Sequence, residues 1–141
     1  MFQLGSVFVP VTNLEKSKKW YEENLDVQEI DSWEGGAGFF FPQGTAQFGL
    51  IEVTRPQPTE FEITKGEKNS YFNFVVNDIE AAFQRLNDAG VETTEIQDFG
   101  GMKHFDFFDP DQNVFSVVDE AKNSPFHKES VKTQQKKLRA K

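Results

Sequence analysis

Residues 71–90, YFNFVVNDIEAAFQRLNDAG, decide the fold. An alternating apolar run ends at Asn77 and Asp78, an amphipathic helix follows, and Gly90 stops it. Phe72, Phe74 and Val76 share one face of the run; Tyr71, Asn73 and Val75 share the other. Asp78 can accept a free backbone N–H at the helix start. Ile79, Ala82, Phe83 and Leu86 then form one stripe at helical spacing. Moving back 65 positions reproduces the pattern as SVFVPVTNLEKSKKWYEENL, residues 6–25. Asn13 stands where Asp78 stands, Leu14 where Ile79 stands, and Val11 where Val76 stands. Ser17 corresponds to Ala82 and Tyr21 to Leu86. One strand–helix unit used twice, each copy followed by further strands, is the expected architecture.

Working outward, the first unit reads as a strand to Val11, a helix capped by Thr12 or Asn13, and strands over 27–33, 38–41 and 46–54. Gly35 and Gly36 break the chain between the second and third, and Pro42, Gln43 and Gly44 turn it before the fourth. Residues 55–70 hold two prolines and no sustained period, and read as a linker. In the second unit, strands are expected over 91–97, 102–108 and 114–119. Asp109, Pro110, Asp111, Gln112 and Asn113 form the turn of the last hairpin. The domain is thus expected over 1–120, with modules at 1–54 and 71–120. Residues 121–141 form a basic tail, either solvated and mobile or a short helix docking on an acidic partner.

At 141 residues the chain suits one domain, and each half is too small to be stable alone. The halves should therefore share an interface or exchange elements with another chain. Net charge is −8, unevenly placed: residues 127–141 carry six Lys/Arg against Glu129, so the remainder sums to −13. That body is a poor partner for nucleic acid. No apolar run is long enough for a membrane span, and the first residues lack the pattern of a signal peptide. The absence of cysteine excludes disulfides and thiolate chemistry and fits a cytoplasmic protein. Sixteen phenylalanines are an unusual number, and Phe is suited to lining apolar pockets.

The motifs VPVTNLEKSKKWYEENL, VVNDIEAAFQRLNDAGVE and FDFFDPDQN, in this order, resemble the vicinal oxygen chelate superfamily of glyoxalases, extradiol dioxygenases, fosfomycin-resistance enzymes and bleomycin-resistance proteins. The motifs run from residue 9 to residue 113, and the resemblance covers residues 3–119. The resemblance implies an α+β fold: two βαβββ modules forming a curled mixed sheet around a cavity, with the helices outside. It also implies a homodimer that completes the cavity where halves pair between chains. In glyoxalase-like members four strands each supply a metal ligand. The positions that match here are Ser6, Glu52, Tyr71 and Ser116. Of these only Glu52 is a good ligand for a divalent ion, because neutral hydroxyls bind such ions feebly and a phenol must first ionise. No cofactor is therefore expected, and a metal only through non-standard ligands around Glu52 and His104.

The expected function is a metal-free, glyoxalase/bleomycin-resistance-like protein that binds a small, partly aromatic molecule in an aromatic cup. The alternative is a metal-dependent lyase or dioxygenase of the same superfamily. Glu52 has two readings: a desolvated carboxylate serving as general base or cation anchor, or a strand-end residue in an ordinary pairing. His104 and Asp106 share a strand face, either as a polar pair in the cavity or as exposed surface. Phe8, Phe48 and Tyr71 are expected to line the cup, with Trp33 at its rim. Ser6, Asn73, Glu52 and Ser116 would supply its polar groups.

Overall fold

The computed structural model describes residues 1–140. The first unit comprises β1 (Ser6–Val11), α1 (Leu14–Leu25), β2 (Gln28–Trp33), β3 (Gly36–Phe40) and β4 (Gln47–Glu52). A hairpin of β5 (Glu60–Thr64) and β6 (Glu67–Ser70) follows. The second unit comprises β7 (Asn73–Val75), α2 (Ile79–Asp88), β8 (Gln97–Phe99), β9 (Met102–Phe108) and β10 (Val114–Asp119). Helix α3 (Lys128–Arg139) closes the chain. No helix among the described residues is long and apolar enough to cross a membrane.

The repeat is visible in the topology. The sheets have orders β1-β4-β3-β2 and β7-β10-β9-β8, and in each the first strand runs parallel to the last while the other pairs are antiparallel. Both sheets are therefore mixed and open, and the fold is α+β. The two helix starts match closely. Asn13 (φ −138°, ψ 97°) accepts from Lys16 N–H at 3.1 Å, and Asp78 (φ −137°, ψ 96°) from Ala81 N–H at 3.1 Å. Each short polar side chain satisfies a donor the helix cannot.

One core serves both units. Val9, Val11, Phe39, Phe48 and Leu50 from the first sheet join Phe105, Phe107, Phe115 and Val117 from the second. Aromatic rings bridge them: Phe48 lies 6.2 Å from Phe74 and 6.4 Å from Phe115, and Trp20 stacks on Phe107 at 6.3 Å. Such pairs contribute roughly 0.5–1.5 kcal/mol each beyond area burial.

A buried polar tie fastens the same seam. Asp109 in the β9–β10 turn is 2% exposed. It accepts from Tyr21 Oη–H of α1 at 2.6 Å, from both Asn113 N–H and Asn113 Nδ2–H at 2.8 Å, and from Asp111 N–H at 2.8 Å. Asn113 Nδ2 also donates to the Pro10 carbonyl at 2.9 Å, and Thr12 N–H donates to Asp111 at 3.0 Å. Burial pushes the Asp109 carboxyl up, against the lowering effect of its Tyr21 and Asn113 donors. Burial, reinforced by Asp109, holds the Tyr21 phenol well above its usual range, so it remains a neutral donor.

Two segments differ from the sequence reading, and in a third, the tail, the helix it allowed is present. The stretch read as a linker contains the β5–β6 hairpin, because Phe61 and Ile63 alternate with glutamates and Gly66 (φ 87°) turns the chain. Residues 91–97 form a single bridge, Thr93 to Phe107, before β8 begins at Gln97. Threonine side chains divert that segment: Thr94 Oγ1 accepts from Asp106 N–H at 2.8 Å, and Asn87 Nδ2 donates to Thr93 Oγ1 at 3.1 Å. The tail forms α3, rich in good helix formers, and none of its residues is buried.

Candidate ligand-binding faces

Each sheet turns one face to the common core, and strand alternation places every second side chain on the other face. On the first sheet that outer face carries Ser6, Phe8 and Pro10 of β1, Gln47, Gly49 and Ile51 of β4, and Gly36, Gly38 and Phe40 of β3, as their register requires. The glycines form a floor that aromatic rings cover. A Cβ at Gly49 would stand 2.5 Å from the Phe8 ring, and one at Gly36 would stand 2.6 Å from the Trp33 indole. Between the two rings, above Gly38, runs a groove of about 180 Å³ lined also by Ser6, Ile30 and Gln47. Phe8 (53% exposed) and Trp33 (50%) leave half their surface open to it.

The second sheet is built differently on the same plan. Ser116 of β10 sits between Asn73 of β7 and Asp106 of β9. Ser116 Oγ–H donates to Asp106 Oδ1 at 2.8 Å, and His104 Nε2 lies 2.9 Å from the same oxygen. The hydrogen-bond pattern assigns the imidazole proton to Nε2, leaving Nδ1 a buried acceptor without a partner. Asp106 Oδ2 takes no hydrogen bond among the described residues. The order is serine–carboxylate–histidine, with the carboxylate in the middle. The serine therefore has no imidazole to take its proton, and the string does not make an activated nucleophile. It is an acceptor site held in place by two donors. Tyr71, Val75 and Phe99 are exposed large hydrophobic residues of the same unit, and all three read onto this face by strand alternation or register.

The structure gathers Asn73, His104, Asp106 and Ser116 on the second outer face, and Ser6 and Phe8 on the first. Tyr71 lies at the edge of the second, its ring 5.3 Å from Phe61 of the hairpin. Two expected members point their side chains elsewhere. Phe48 borders the groove, but its ring is buried in the core among Tyr21, Phe41, Phe74 and Phe115. Glu52 shares its parity, and its carboxylate accepts from Leu14 N–H at 2.9 Å at the start of α1. It works as a second cap, where the helix dipole favours negative charge. The sequence reading missed Gly36, Gly38, Gly49, Gln47 and Ile30. The spacing of glycines two apart in β3 was the available signal, since it clears one face of a strand.

The four residues that the resemblance set at metal positions do not form one donor set. Ser6 and Glu52 are on opposite faces of one sheet, Tyr71 and Ser116 are hydroxyl groups of another, and no three His, Asp or Glu residues converge among the described residues.

The profile of the glyoxalase/bleomycin resistance protein/dioxygenase superfamily matches residues 3–117. The chain belongs to that superfamily. No curated protein matches it. Among solved structures it resembles the fosfomycin resistance protein FosX from Listeria monocytogenes (TM-score 0.70, 17% identity, covering 86% of this chain and 96% of that one). It also resembles TnmS3, an antibiotic binding protein from Streptomyces sp. CB03234 (TM-score 0.68, 17% identity, 86% and 98% covered). A third is the integron cassette protein HFX_CASS4 from a Halifax Harbour sewage metagenome (TM-score 0.66, 22% identity, 85% and 100% covered). At these identities the likeness establishes the superfamily fold and leaves the ligand to the site.

Proposed function

We propose that this superfamily member is a binding protein for a small, partly aromatic organic molecule, working as a homodimer without a metal. The observation that carries the reading is the glycine-floored groove, where Phe8 and Trp33 lie half exposed beside Ser6 and Gln47. Apolar walls with a few placed polar groups are the usual composition of a ligand site. Pairing of two copies is supported by the direction of the faces. Both sheets turn one side into the same core, so their outer faces cannot close on each other within one chain. Ser6 and Phe8 on the first face, with Tyr71, Asn73, His104, Asp106 and Ser116 on the second, would then form opposite walls of each cup. Antibiotic binding by TnmS3, a protein of the same fold, is consistent with this use.

Sedimentation of the full chain, followed by a thermal-shift screen of planar aromatic compounds with and without divalent ions, tests the proposal. A two-chain mass and stabilisation by aromatic compounds alone are expected, about 2.7 kcal/mol at a hundredfold excess over Kd. A monomer that no aromatic compound stabilises, or stabilisation that requires an ion, would overturn it.

A further inference from the structure

The two outer faces differ in kind, and together they specify the charge of what lies between them. The first offers flat aromatic surface over glycine, which suits a planar ring and does not select for charge. The second offers a carboxylate flanked by the neutral amides of Asn73 and Gln97. Asp106 Oδ1 is already loaded by Ser116 and His104, while its second oxygen is unpaired among the described residues. The side chains of His104 and Asp106 are 26% and 29% exposed, half-sunk in the sheet and reachable from outside. With Ser116 and His104 both bonded to Oδ1, the string presents its second carboxylate oxygen to the ligand.

We infer that the ligand is a flat aromatic cation, its ring stacked between Phe8 and Trp33 and its protonated nitrogen bonded to Asp106 Oδ2 across the cup. This rests on the paired-cup reading above and adds to it the sign of the ligand's charge. The protein's net charge of −8 favours the same sign at long range. A charge-assisted hydrogen bond in a site shielded from water is roughly twice as strong as a neutral one, so a cation should be separated from its neutral analogue by about tenfold or more.

Titration calorimetry of the full chain with 4-aminoquinoline, quinoline and quinoline-4-carboxylate tests it at neutral pH and low salt. These share one ring system and differ in charge. 4-Aminoquinoline, protonated at its ring nitrogen, is expected to bind about tenfold or more tighter than quinoline, and the carboxylate weakest, the spread narrowing as salt is added. Asp106→Asn keeps an oxygen acceptor for Ser116 and His104, so it should fold normally and lose the preference while keeping quinoline affinity. Gly38→Val should weaken all three alike. A Cβ there meets only a Trp33 ring atom at 3.9 Å, so the fold tolerates it while the groove fills. Equal affinity for amine and quinoline, or a preference that survives Asp106→Asn, overturns the cation inference and leaves the cup standing. Failure of all three compounds to bind a chain shown to be dimeric also overturns it. A monomeric chain would instead remove the paired cup itself.

Discussion

The two outer faces are the same lattice filled in two ways. Register places Gly49 where Ser116 lies in the other sheet, Gly38 where Asp106 lies, and Gly36 where His104 lies. Phe8 corresponds to Asn73 and Trp33 to Gln97. In the first sheet small floor positions are roofed by large rings from the flanking strands. In the second, polar side chains rise from the floor itself and the flanking residues are polar too. The inner faces show no such contrast, since both contribute valine and phenylalanine to one core. A repeated scaffold thus keeps its inner face apolar for stability and frees its outer face for chemistry.

The largest test of that division concerns the seam. Asp109→Ala would leave Tyr21 Oη and two backbone N–H groups without their acceptor, and Asn113 Nδ2 with the Pro10 carbonyl alone. It should cost about 3 kcal/mol, with both halves still melting in one transition by urea unfolding. Two separated transitions would mean that the halves do not depend on a common core.

The next test sets the helix starts against each other. Glu52 and Asp119 occupy matching strand ends, but only Glu52 reaches its helix. Glu52→Ala should cost about 1 kcal/mol by denaturant titration and leave ligand affinity unchanged. Asp119→Ala should fall within about 0.5 kcal/mol of the parent. Loss of affinity in the Glu52 variant would restore the cup role that the sequence suggested.

The hairpin turns give a smaller contrast. Gly44 (φ 81°) turns the first sheet's last hairpin, whereas Gln112 (φ 64°) does so in the second. A side chain in the left-handed region is strained. Gln112→Gly should therefore stabilise by about 0.5 kcal/mol, raising Tm by about 1–2 °C despite the greater freedom of the unfolded chain.

The smallest expected effect joins the two helices at the surface. Arg85 of α2 donates to both oxygens of Asp26 at the end of α1, at 2.6 and 2.8 Å. The Arg85 hydrogen bond holds the Asp26 carboxyl below its ordinary range, with burial opposing. A lowered folded value contributes stability that is present above the unfolded pKa and lost as pH falls through the folded one. Arg85→Ala should thus be less stable by a few tenths of a kcal/mol at neutral pH, the pair being exposed. The gap should close as the solution is acidified below pH ~4, the unfolded carboxylate range. A gap that persists in acid would assign the loss to packing of the arginine stem.

The fold was legible because its signals are local. Asn13 and Asp78 each announce a helix through a capping bond three residues long, and the shift of 65 aligns everything that follows. The second outer face was partly legible, since His104 and Asp106 are two apart on a strand whose limits the turn at Asp109 sets. The first was misread at β4. Phe48, Leu50, Gly49 and Ile51 are all apolar or small, so alternation could not say which pair faced the core. The deciding fact lies across the sheet, where the Phe8 ring needs the space above Gly49. Glu52 keeps two readings in the sequence because its partner at the start of α1 is 38 residues away.

The β5–β6 hairpin lies outside both sheets, yet it is the only chain that joins the two units. A cut at Gly66 would yield two fragments, each owning half of a single interior. Neither would have anywhere to hide its phenylalanines except in the other. Such pieces should reassemble when mixed, and that would make the protein a natural candidate for a split reporter whose signal depends on the two parts meeting.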